Sequence, residues 1–317
     1  MLSELENPWL HRFTVFTALS TMFLIFAGGL VTSTESGLAV PDWPLSYGML
    51  FPPMVGGVFY EHGHRMVAAF VGFLTLALAI WVSFRETRAW VRWFTFGTLG
   101  TVILQAILGG LTVLYLLPVP ISFAHATLAQ TFFCMIVALA LFTSPDWKNG
   151  LPSIGERTGN PSLPWLCSFT TGAVYLQLML GALMRHTKSG LAIPDFPLAF
   201  GHVVPPFEST SIVIHFAHRL GAILITVMVL WTLARVISEY RAHRRLRRLA
   251  VMMASLLVVQ LILGALTIWS EKAVMVTTFH VVTGATILGI SLLLTLHAFV
   301  MVPPRLHARV HPLKETV

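Results

Sequence analysis

The chain has 317 residues, of which 20 are Lys or Arg and 13 are Asp or Glu. Charged residues make up 10% and hydrophobic residues 56%, whereas an ordinary soluble domain is about 25% charged. A soluble globular domain, a disordered chain, a coiled coil and a disulfide scaffold are all excluded, which leaves an integral membrane protein. The net charge of +7 raises the question of nucleic acid, and the placement of the charges answers it.

In chain order, eight apolar runs occur at about 13–32, 64–83, 91–116, 122–142, 164–184, 213–236, 249–269 and 274–300. Each approaches the roughly 20 residues that a helix needs to cross hydrocarbon. The first run is too long for the core of a cleaved signal and its flank is weakly basic (His11, Arg12), so a retained helix is expected. The runs are also longer than the roughly 10-residue alternating strands of a membrane β-barrel. The expected fold is all-α integral membrane, with eight transmembrane helices.

Alternate connections then sort the basic residues. Arg12, Arg85, Arg88, Arg92, Lys148, Arg157, Arg235, Arg241, Arg244, Arg245, Arg247, Arg248, Arg305, Arg309 and Lys314 fall on one side. Arg185, Lys188 and Lys272 fall on the other, with Arg65 and Arg219 at helix starts there. The positive-inside rule makes the richer side cytoplasmic and places both termini in the cytoplasm of a multi-pass cell-membrane protein. The run from Arg241 to Arg248 is then a topogenic, lipid-facing loop, and no nucleic-acid partner is expected.

The chain also repeats itself. Ser36–Asp42 (SGLAVPD) returns as Ser189–Asp195 (SGLAIPD), at an offset of 153. Pro52-Pro53 returns as Pro205-Pro206, and His64-Arg65 as His218-Arg219. Gln105–Gly109 (QAILG) returns as Gln260–Gly264 (QLILG), and His125 as His280. Four helices per half bring the chain back to its starting side, so two parallel-repeat four-helix bundles are expected, related by an axis along the membrane normal. The polar stretch 143–163 divides them, with halves at 1–150 and 151–317.

Four of the 13 histidines carry the repeat: His64, His125, His218 and His280. All stand near the starts of even-numbered spans, at similar depth near the outer face. Ionisable groups inside spans are costly and mark function. Two neutral imidazoles from two helices suit axial ligation of a haem iron, pairing His64 with His125 and His218 with His280. A bare zinc or copper site normally needs more protein ligands. Gly63, Ala68, Ala69, Ala124, Ala126, Ala217, Gly221, Ala222 and Gly284 leave room for a flat macrocycle or for close helix packing. Arg65 and Arg219 are candidate propionate contacts, with snorkelling to headgroups as the other reading. Tyr60, His62, His186 and His202 are read as loop or rim residues.

The halves differ three residues before the first histidine of each. Glu61 precedes His64 by three residues, where His215 precedes His218. At that spacing Glu61 and His64 share a helix face. The carboxylate is therefore a candidate proton acceptor or charge stabiliser, or else a simple partner of the helix dipole. The repeated outer segments, within 33–60 and 185–212, are expected to form either lids or interfacial anchors through Trp43 and Phe196.

Glu61–Arg65 reads E-x-x-H-R. With Ser36–Pro44, the four histidines and eight spans, the chain resembles the haem A synthase family over roughly residues 10–300. The resemblance implies oxidation of the C8 methyl of haem O to a formyl group, by two successive hydroxylations and loss of water. It implies substrate haem O at His64 and His125, a haem b cofactor at His218 and His280, and a catalytic Glu61. Haem O synthase is a candidate hand-over partner, and the electron donor is left open. Many members carry a cysteine pair in the first outer loop. Here that loop has none, and Cys134 and Cys167 lie inside apolar runs as packing residues. The competing readings are a bis-histidine di-haem cytochrome, in which Glu61 is dispensable, and a haem carrier or chaperone that leaves the side groups unchanged.

Overall fold

A computed structural model describes residues 8–155 and 159–303. Arg157, Arg305, Arg309 and Lys314 lie outside the described residues. Eight long helices occur: α1 (Pro8–Ser33), α2 (Gly57–Arg85), α3 (Ala89–Leu114), α4 (Val119–Phe142), α6 (Leu163–His186), α7 (Thr210–Glu239), α8 (Arg244–Trp269) and α9 (Val274–Met301). All eight are long and apolar enough to cross a membrane. The expected polar divider contains a further short helix, α5 (Pro145–Lys148), capped by the Ser144 side chain. Proline in the first turn of α4, α5 and α6 takes a place where its missing N–H has no helical partner to lose.

Two helices begin earlier than the apolar runs. α2 starts at Gly57 and α7 at Thr210, because Glu61, His62 and Gly63, and similarly His215, interrupt the hydropathy without interrupting the helix. The four histidines therefore stand about two turns inside their helices, roughly 9–12 Å from the helix start at 1.5 Å per residue.

α1 packs on α2 and α4, and α3 on α2 and α4. α6 packs on α7 and α9, and α8 on α7 and α9. Between these sets, α1 meets α9 and α4 meets both α6 and α9. Helices in lipid associate through close packing and polar contacts rather than through a hydrophobic drive, and this seam uses both. Gly289 of α9 admits Phe133 of α4, whose ring atom would stand 3.1 Å from a Cβ placed there. Thr131 and Tyr175 pair their hydroxyls across α4 and α6 at 2.7 Å. Buried threonines such as Thr14, Thr21 and Thr75 bond the carbonyl one turn back, so the hydroxyl is satisfied inside its own helix.

Among the described residues, most of the basic ones lie at the end opposite the histidines, with Arg65, Arg185, Lys188, Arg219 and Lys272 at the other. Arg88 holds the Phe142 carbonyl and Glu86, Lys148 also pairs with Glu86, and Arg245 pairs with Asp146.

Candidate functional site

Each of the four histidines lies against a glycine of the preceding long helix. A Cβ at Gly28 would stand 3.0 Å from Cε1 of His64, and one at Gly109 would stand 3.0 Å from that of His125. The corresponding distances are 3.1 Å for Gly181 and His218, and 3.2 Å for Gly264 and His280. Real Cβ atoms are rarely that close to a neighbour, so glycine is what lets each ring sit there. Gly28 and Gly181 share the offset of 153 and were legible in the sequence, but they lie outside the segment Ser36–Asp42 that announces the repeat.

The histidines stand within the two helix sets in twos: α2 and α4, which carry His64 and His125, both pack on α1 and α3, and α7 and α9, which carry His218 and His280, both pack on α6 and α8. Nδ1 of His64, His125 and His280 is buried without a hydrogen-bond partner. A buried polar atom left unpaired costs about 1–3 kcal/mol. Among the described residues, no three His, Cys, Asp or Glu side chains converge on one point. Two imidazoles per centre fit an iron that brings its own four equatorial nitrogens, as in a haem.

Glutamines reach three of the four. Nε2 of Gln105 donates to the His125 carbonyl at 2.9 Å and lies 3.4 Å from its Nε2. Nε2 of Gln177 donates to the His218 carbonyl at 2.7 Å and lies 3.2 Å from its Nδ1. Gln260 lies 3.3 Å from Nε2 of His280.

Glu61 is 3% exposed and both its oxygens are engaged. Oε2 accepts the Val40 N–H at 2.8 Å and Oε1 accepts from Arg65 at 2.6 Å. Arg65 spends its remaining terminal N–H groups on the carbonyls of Asp42, Leu45 and Val40. In the second half, His215 Nδ1 takes the place of the carboxylate and accepts the Ile193 N–H at 3.2 Å. Arg219 holds the carbonyls of Leu198, Ile193 and Asp195, and its Nε has no partner. Both arginines thus tie the loop that precedes a helix to that helix, which carries a histidine. Their targets in the loops are backbone carbonyls, which leave no mark in a sequence.

The loops are built alike. The Asp42 carboxylate accepts the N–H groups of Tyr47 and Gly48, and Asp195 accepts those of Phe200 and Gly201. Those bonds hold both carboxyls below the ordinary carboxylate value, led by Gly48 for Asp42 and by Gly201 for Asp195. Gly48 and Gly201 have φ of 70° and 76°, where a side chain is strained. Trp43 lies over α3, with a ring atom 2.5 Å from where a Cβ of Gly110 would be.

A second difference between the halves appears here. His62, expected at the rim, is buried and bonds Ser46 Oγ through Nδ1 at 2.8 Å, while its Nε2 has no partner. The matching residues of the other half, Phe216 and Ala199, pack in an apolar cluster. Cys134 is half-buried in α4 and Cys167 is buried in α6, both as free thiols.

A model of the cytochrome oxidase assembly protein family matches residues 55–292. A heme A synthase of Symbiobacterium thermophilum is 32% identical over 252 residues, covering 77% of this chain and 81% of its own length. Heme A synthases of Alkalihalophilus pseudofirmus and Shouchella clausii are each 28% identical, over 287 and 301 residues, and are covered over 91% and 96% of their lengths.

Proposed function

Because the chain belongs to the cytochrome oxidase assembly protein family, we propose that it is a haem A synthase, an enzyme that oxidises the C8 methyl of haem O to a formyl group. Two successive hydroxylations give a gem-diol, which loses water. The substrate haem O sits between His64 and His125 in the half formed by 1–150. A haem b cofactor sits between His218 and His280 in the half formed by 151–317. When bound, haem b supplies one-electron redox chemistry. The two halves are parallel repeats about an axis along the membrane normal. The histidine end faces outward, because most of the basic residues lie at the opposite end.

One observation carries the assignment of roles: the same helix position anchors the outer loop through a carboxylate in one half and through an imidazole in the other. A carboxylate accepts a proton as its neighbouring substrate is oxidised, so the half with Glu61 is the reacting half. Arg65 and the Val40 N–H hold the carboxylate in place. Propionate contacts at Arg65 and Arg219 would add to their hold on the loop backbone. Hand-over of haem O from a haem O synthase suits so apolar a substrate.

The test is expression in a host that makes haem O but no haem A, followed by extraction and mass identification of the non-covalent haem. Haem A or its hydroxylated intermediate is expected beside haem b. Two unmodified haems in a folded preparation would instead support a di-haem cytochrome.

A further inference from the structure

The four histidines are not held equally. Gln105 and Gln177 each cross from the preceding long helix to bond the carbonyl of a histidine, and Gln260 reaches the ring of a third. At the position in α1 that matches Gln177 of α6 stands Leu24, at the repeat offset of 153. The change has a counterpart across the helix pair. Gly221 makes room for Gln177, since a Cβ there would overlap Oε1, and the matching residue, three after His64, is Val67. A polar brace and its glycine are thus exchanged together for two apolar side chains, at one histidine of the four.

The brace matters because a metal-bound imidazole almost always donates its other N–H to an acceptor, and loss of that acceptor costs roughly 10–100-fold in metal affinity. An amide stands at the ring in three cases: Nε2 of Gln105 and Nε2 of Gln260 lie 3.4 and 3.3 Å from Nε2 of His125 and of His280, and Nε2 of Gln177 lies 3.2 Å from Nδ1 of His218, while Oε1 of Gln105 and Oε1 of Gln260 are buried without partners. Nδ1 of His64 is equally buried and unpartnered, and Leu24 holds the position from which Gln177 reaches the ring of His218. Glu61 and Arg65 do not substitute, because their polar contacts run to each other and to the outer loop.

We propose that His64 is the exchangeable ligand: Leu24 and Val67, standing where Gln177 and Gly221 brace His218, leave the substrate centre able to release its haem. This rests on the reading that the four histidines hold two haems. A resident cofactor needs two braced ligands, whereas a haem that is substrate and then product must leave at every turnover. Gln105, Gln177 and Gln260 are positioning residues in this account, and Leu24 sets the difference between the two centres.

The experiment follows haem transfer from the full-length protein, purified from a haem O-producing host, to excess apomyoglobin by absorbance. Two phases are expected: a fast one that His64→Ala removes, and a slow one that His218→Ala removes. In the double variant Leu24→Gln with Val67→Gly, the fast phase should slow by about tenfold or more. The slow phase and its low-spin spectrum should stay unchanged, which also shows that the variant is folded. The reverse exchange, Gln177→Leu with Gly221→Val, should speed the slow phase by a similar factor. A fast phase that is present but equally fast in the first double variant, with the slow phase intact, overturns this inference alone. Absence of any phase sensitive to His64→Ala overturns the two-haem reading beneath it.

Discussion

At the scale of single residues, the site depends on four glycines as much as on four histidines. A methyl group at Gly28 would meet Cε1 of His64 at 3.0 Å, so the ring must shift by a few tenths of an ångström to admit it. On the proposed haem assignment, Gly28→Ala should therefore weaken haem binding in the first half, read as lost haem per protein, while the haem of the second half is retained. Gly72→Ala is the control, because nothing stands within 4 Å of its Cβ position and alanine is the better helix former by about 1 kcal/mol. It should leave haem content unchanged. An equal loss in both variants would mean that the close contact is irrelevant. The glycines were readable from the repeat. The pairing of Ser46 with His62 was not, because only the folded loop brings residues 16 apart in sequence within 2.8 Å.

At the scale of elements, the loops before α2 and α7 are the same device with different fittings. Trp43 sits on Gly110 in the first half, while the matching positions of the second half are Phe196 and Ala265. Gly110→Ala should dislodge Trp43 and loosen the loop, and adding Trp43→Phe should restore it by reproducing the pair of the other half. Proteolytic cleavage within 41–55 is a suitable readout. Failure of the second substitution to protect the loop would separate Trp43 from Gly110. The loops should also respond to acid. Asp42 and Asp195 titrate below their unfolded value because backbone N–H groups bind the charged form. A depressed folded value stabilises above the unfolded value, about 3.9, and the effect is lost as pH falls through the folded one. Amide protection of Gly48 and Gly201 should therefore hold above pH of about 4 and fall below it. Protection that rises on acidification would contradict this. The loop build was legible only as a repeated motif, since the arginine bonds that fix it end on backbone carbonyls.

At the scale of the whole molecule, length and hydropathy were enough to place all eight spans. They placed the starts of α2 and α7 too late, because hydropathy registers Glu61 and His215 as polar while the helix accommodates them through loop partners. The seam between the helix sets was not readable, as an apolar helix face packs against protein or lipid with the same residues. Gly289→Leu tests it. Overpacking against Phe133 should cost about 1–3 kcal/mol, seen as a lower thermal midpoint with both haems affected. Loss confined to one haem would show that the two sets are independent there.

The central claim is that two similar halves divide the work, and that the half carrying Glu61 does the chemistry. Haem extracted from the Glu61→Gln protein, expressed in the haem O-producing host, tests this most directly. Glutamine keeps the size of the side chain and an oxygen for the Val40 N–H, so the fold and haem b should remain. The account predicts haem b and unmodified haem O, with neither haem A nor its hydroxylated intermediate. Continued formation of haem A by that variant would contradict it.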